Sequence, residues 1–162
     1  MLIKTAGYMW NREYVDWSKR RLMGSPEEGD GAEANFADQS AIYGLYSANH
    51  ECVYIGQAGS GDSSGLFERL KAHAIEDHLF CFWQRFMWFG FYSAEQLKAE
   101  KYPDPVAKSL SLGDALNTIE SIAIYLAMPR HNLRKETGFS DVEWYFQPAE
   151  HERLKTPKKA KN

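Results

Sequence analysis

Residues 40–58, SAIYGLYSANHECVYIGQA, carry the clearest structural signal in the chain. Two runs, AIYGLYS and CVYIGQA, are rich in β-branched and aromatic residues and are joined by the polar turn ANHE. Such residues fit a pleated, half-buried surface, and a short polar connection between two runs of them predicts an antiparallel hairpin.

Working outward, GSGDSSG (59–65) reads as a flexible connector, without the Lys-Ser/Thr ending of a phosphate-cradling loop. Ser63 or Ser64 then caps a helix over LFERLKAHAIEDH, in which Leu66, Phe67, Leu70 and Ala74 recur at helical spacing. The run FCFWQRFMWFGF (80–91) is apolar on both alternations and predicts a central strand covered on both faces. A short helix and a loop broken at Pro103 and Pro105 follow. The longest helix, SLGDALNTIESIAIYLAM (111–128), has Ser111 and Asp114 as capping residues and stops at Pro129. On the N-terminal side, residues 1–24 read as an arm or short helix packed on the domain, and the acidic stretch 24–38 as an exposed loop. The expected organisation is an arm and acidic loop over 1–38, an α/β (α+β) domain over 39–148 and a basic tail over 149–162.

At 162 residues, 44% apolar and 14% aromatic, the chain is long enough to bury a core without disulfide or metal staples. It lacks the run of roughly 18 apolar residues that a membrane span needs and a signal-peptide pattern at its start, so a soluble, cytoplasmic protein is expected. Cys52 and Cys81 sit in apolar, strand-like segments without metal or redox spacing, which predicts reduced core thiols. The net charge of −3 is unusual for a nucleic-acid-binding domain, but the acidic residues crowd into 25–38. Lys19, Arg20 and Arg21 precede that stretch, and Arg153, Lys155, Lys158, Lys159 and Lys161 occupy the end. These clusters read either as solvated termini or as grips on a phosphate backbone.

Three groups of residues suggest chemistry. In the helix 111–128 the apolar positions Leu112, Leu116, Ile119, Ala123, Ile124, Leu126 and Ala127 suggest one buried stripe, and Glu120 falls within it. A buried carboxylate needs a cation, which leaves either a salt bridge to a buried arginine or a divalent metal. Arg69 and His73, four apart on one helix, are expected side by side. Tyr43 and Tyr54, eleven residues apart across the hairpin, read on their own as packing residues.

Taken in order, AIY at 41–43, YIG at 54–56, RLKAH at 69–73, Glu120 on a helix and Asn132 in PRHNL resemble the signature of the GIY-YIG nuclease superfamily. Ala41 departs from the pattern by replacing its first glycine, a change that a regular strand accepts. The resemblance covers 41 to about 134 and implies a small three-stranded antiparallel sheet flanked by helices. It also implies roles. Glu120 would ligate a single divalent metal, Mg²⁺ with Mn²⁺ as a substitute, and Arg69 would contact the scissile phosphate. Tyr43 would act as general base or orient the attacking water, Tyr54 would hydrogen-bond the phosphate or the water, His73 would accept a proton from Tyr43 or orient it, and Asn132 would brace the site.

The spacings look most similar to restriction-type members, so double-stranded DNA is the expected substrate. One metal and one base serve one strand, and cutting both requires a homodimer or sequential nicking. Lys19, Arg20, Arg21, Lys155, Lys158 and Lys159 are the expected contacts to the DNA backbone. The competing expectation, suggested by the acidic net charge, is a catalytically silent nucleic-acid-binding or protein-interaction module.

Overall fold

The computed structural model describes residues 2–26, 33–59, 64–75, 78–103, 112–128, 139 and 141–147. Its strands are β1 (Thr5–Asn11), β2 (Met23–Pro26), β3 (Ala34–Asn35), β4 (Ala41–Tyr46), β5 (Cys52–Ala58), β6 (Arg85–Gly90) and β7 (Glu143–Phe146). The helices are α1 (Leu66–Ile75), α2 (Ala94–Lys98) and α3 (Leu112–Ala127). The strands form one seven-stranded sheet in the order β3-β2-β7-β1-β6-β4-β5. The β1–β7 pair is parallel and the other pairs are antiparallel.

This sheet corrects the expectation of a small three-stranded antiparallel sheet. The predicted hairpin is present as β4–β5, with Tyr43 opposite Gly56, and β6 pairs with the other side of β4. The sheet does not stop there, because β1 pairs with β6 and brings β7, β2 and β3 with it. Residues 5–11, expected in a packed arm, are therefore an interior strand. Its pattern is broken by a bulge between Gly7 and Trp10, where Met9 takes a positive φ of 49°. That break hides the two-residue alternation by which a strand is recognised.

Alternating side chains divide the core between the two faces of the sheet. On one face Tyr43, Leu45, Phe86 and Trp88 pack with Leu66, Phe67, Leu70 and Ala74 of α1. On the other, Tyr46, Met87 and Phe89 pack with Ile122 and Leu126 of α3. Strand β6 is buried on both faces, as its apolar run predicts, but it begins only at Arg85. The expected strand starts at Phe80, but residues 78–81 form a 3₁₀ turn in which Phe80 is exposed.

Helix α3 approaches β4 closely over Gly44. A Cβ there would lie 2.7 Å from Leu126 Cδ2, so glycine admits the helix. Tyr46 Oη donates to the Leu126 carbonyl at 2.7 Å and satisfies one of the orphan acceptors at the helix end. Helix α2 starts at a capping box, with Ser93 and Gln96 each bonding the other's backbone.

Two further expectations change. Cys52 and Cys81 are free thiols but exposed, one at the start of edge strand β5 and the other in the 3₁₀ turn. Glu120 is exposed and not buried. The face that α3 turns to the sheet carries Thr118, Ser121, Ile122 and Leu126, whereas Ile119 is 64% exposed. Apolar residues occupy so much of this helix's circumference that a stripe read from spacing alone did not select the packed side. The argument that burial obliges Glu120 to find a cation therefore falls. Among the described residues no helix is long and apolar enough to cross a membrane.

Candidate active site

Tyr43 lies mid-strand in β4, and the pleat directs its side chain towards α1, where it is buried. Its hydroxyl lies 2.8 Å from His73 Nε2, joining residues thirty positions apart in a buried hydrogen bond. With the proton of neutral His73 on Nδ1, Nε2 accepts from the phenol. The ring of Tyr54, from β5, is centred 4.7 Å from the His73 ring and 6.2 Å from the Tyr43 ring. Tyr54 is 37% exposed, so one side of this three-ring cluster reaches solvent while Tyr43 lies at its floor.

Glycine at 56 makes that arrangement possible. A Cβ there would lie 2.5 Å from Tyr43 Oη and 2.7 Å from Tyr54 Cε1. The glycine of YIG thus leaves the space in which the two tyrosines meet.

Arg69 stands one turn before His73 on α1. The two positions lie at the border between buried and exposed sides of the helix, so His73 turns under while Arg69 is exposed. Among the described residues the Arg69 guanidinium has no ion-pair partner. Its fork of donors is open to an anion beside the Tyr–His cluster.

Glu120 belongs to the helix on the opposite face of the sheet. Both α1 and α3 contact edge strand β5. The half-site carrying Arg69 and His73 and the helix carrying Glu120 therefore flank the same exposed sheet edge. The structure brings Tyr43, Tyr54 and His73 together, with Arg69 on the same helix as His73. It shows no contact between Glu120 and these residues. Among the described residues no three His, Cys, Asp or Glu side chains gather to hold a metal. Glu120 has no ion-pair partner among them either, which leaves its carboxylate open to a hydrated cation. A single carboxylate with water completing the shell suits Mg²⁺. Asn132 lies outside the described residues.

The expected DNA contacts divide. Arg20 is committed within the molecule, 2.5 Å from Asp38 and 3.1 Å from Glu68, and its bond to Asp38 raises its pKa further. Lys19 pairs with Asp16 at 3.2 Å. Arg21 is exposed and without an ion-pair partner among the described residues. Lys155, Lys158 and Lys159 lie outside them.

Residues that sequence reasoning missed surround His73. Trp83 Nε1 donates to the His73 carbonyl at 3.2 Å, and Arg12 reaches the Ala74 carbonyl at 2.9 Å. Their partners are backbone atoms of distant segments, which no spacing rule in the sequence reveals. No protein-family model matches the chain, and neither does any curated protein or solved structure.

Proposed function

We propose that the protein is a metal-dependent endonuclease of the GIY-YIG type, hydrolysing phosphodiester bonds of double-stranded DNA. The observation that carries this reading is the buried Tyr43–His73 hydrogen bond, with Tyr54 against the same imidazole. Packing alone does not require a titratable acceptor for Tyr43.

In this reading Tyr43 takes a proton from the attacking water, or aligns that water, and passes its own proton to His73 Nε2. A phenol with an ordinary pKa near 10 needs about 4 kcal/mol to ionise at pH 7, and an imidazole acceptor removes the need for free phenolate. Tyr54 hydrogen-bonds the phosphate or the water from the solvent side. Arg69 donates to the non-bridging phosphate oxygens, where its planar fork offsets the charge that builds as the bond forms. Glu120 would hold Mg²⁺ or Mn²⁺, which when bound polarises the phosphate. The role of a bracing amide would fall to Asn132, which lies outside the described residues, by the resemblance alone. Each copy cuts one strand, so both strands are cut by a homodimer or by successive nicks, as in a restriction-type enzyme.

A second reading, a nucleic-acid-binding or protein-interaction module without catalysis, is favoured by the position of Glu120 on the other face of the sheet from His73. The two readings separate in a plasmid cleavage assay with Mg²⁺ or Mn²⁺. The native protein nicks or linearises the plasmid, and Glu120→Gln and Arg69→Ala each lower the rate by about 10²-fold or more. Activity that survives both substitutions overturns the mechanism. A native protein that binds DNA but cleaves none selects the binding module.

A further inference from the structure

His73 lies two residues before the end of α1. The last turn of a helix has no intrahelical donors for its carbonyls and frays unless something holds it. Its hold here comes from a segment 62 residues earlier in the chain. Arg12 follows β1, and its backbone N–H donates to the Gln84 carbonyl at 2.9 Å, which fixes its position beside the start of β6. From there the guanidinium donates to the Ala74 carbonyl at 2.9 Å, to the Trp83 carbonyl at 3.2 Å and to the Phe80 carbonyl. Its Cζ lies 4.8 Å from the Trp83 ring centroid and 5.3 Å from that of Phe80.

A planar cation with several directed donors can bridge three carbonyls from three segments, which the single ammonium of lysine cannot. Positive charge is also favoured at the C-terminal end of α1 by the helix dipole. Trp83, held by Arg12, in turn donates its indole N–H to the His73 carbonyl. The contacts run without a gap from Arg12 through Trp83 and the end of α1 to His73, and from His73 to Tyr43.

We propose that Arg12 is a positioning residue for the site. It clamps the last turn of α1 and the 3₁₀ turn so that the His73 imidazole is presented to the Tyr43 hydroxyl. That His73 serves a reaction rests on the nuclease reading; that Arg12 sets its position does not.

The test uses the full chain with ¹⁵N-labelled histidine, the His73 ring signals being assigned by comparison with His73→Gln. Arg12→Ala shifts the His73 Nε2 resonance away from its hydrogen-bonded value and speeds amide exchange in the last turn of α1. Arg12→Lys does so by less. Val142→Ala, in the apolar cluster on the opposite face of the sheet, serves as a stability control. It lowers Tm and leaves the His73 signals in place.

Unchanged His73 signals in Arg12→Ala overturn the proposal, as do equal shifts in Val142→Ala. Should Arg12→Ala fail to fold, Arg12→Lys decides, and native His73 signals in it overturn the proposal. In the cleavage assay Arg12→Ala lowers kcat by about 10²-fold with KM little changed, as expected when a reacting group is displaced by about 1 Å. A native protein with no cleavage activity would sink the nuclease reading and leave the resonance comparison intact.

Discussion

The Tyr43 hydroxyl and His73 Nε2 lie 2.8 Å apart, buried beneath Tyr54, and each is the other's partner in a single proton-sharing unit. Residues that act as a unit do not lose activity independently. Tyr43→Phe and His73→Ala are each expected to lower single-turnover cleavage by about 10²-fold or more, and the double variant to fall no further than the worse single one. Losses that multiply in the double variant would show that the two groups act separately. Tyr43→Phe also removes the buried hydrogen bond to His73, so it is expected to destabilise by about 1 kcal/mol in urea unfolding.

Gly56 and Gly44 give a comparison between the two faces of the sheet. Alanine at 56 would crowd Tyr43 Oη at 2.5 Å, and alanine at 44 would crowd Leu126 Cδ2 at 2.7 Å. Both substitutions overpack a close approach and are expected to cost about 1–3 kcal/mol. Only Gly56→Ala displaces the Tyr43–His73 pair. Measured well below both Tm values, cleavage falls by about 10-fold or more in Gly56→Ala and stays near native in Gly44→Ala. Equal activities at equal stability loss would remove Gly56 from the site.

The β4–β5 hairpin was legible because β-branched and aromatic runs flank a short polar turn, and the buried strand β6 because it is apolar on both alternations. Strand β1 was not legible. Its bulge at Met9 breaks the alternation, and its partners β6 and β7 lie about 80 and 138 residues away along the chain, beyond the reach of any local pattern. Local patterning placed Tyr43 and Tyr54 on paired strands and His73 on a helix, and packing of α1 on the sheet brings them together. The face of α3 was misread for the opposite reason. Apolar residues on too many sides make the period uninformative, and only packing against Gly44 and Tyr46 selects Ile122 and Leu126.

Cys52 offers a pH-dependent readout of the β5 edge. Desolvation raises its thiol pKa above the ordinary range, although hydrogen bonds with the Tyr54 backbone and the Tyr46 side chain oppose this. A raised acid pKa means that the fold favours the neutral thiol, a contribution present below the unfolded-state pKa and lost as pH rises through the folded one. Because only the thiolate reacts, alkylation of Cys52 in a Cys81→Ser background is expected to be slower at pH 8 in the native protein than in the urea-unfolded chain. The two rates should converge as pH rises past the folded-state pKa. Equal rates at pH 8 would mean that Tyr46 and the start of β5 do not partly shield the exposed thiol.

The orientation of α3 decides whether Glu120 is free to serve a substrate, and it can be tested without an activity assay. Ile119 is 64% exposed and Ile122 is 8% exposed, so lysine at the two positions meets different surroundings. Ile119→Lys is expected to change stability by no more than about 0.5 kcal/mol, in the range of ordinary surface substitutions. Ile122→Lys places a charge against Tyr46, Met87 and Phe89 and should destabilise by several kcal/mol or unfold the chain. Glu120→Gln belongs with Ile119→Lys and should leave the urea midpoint near native, so any loss of cleavage in it reports on chemistry and not on folding. The reverse pattern, a tolerated lysine at 122 and an unfolded chain with lysine at 119, would rotate the helix and return Glu120 to the buried side. A buried carboxylate would then once more need a cation on physical grounds alone.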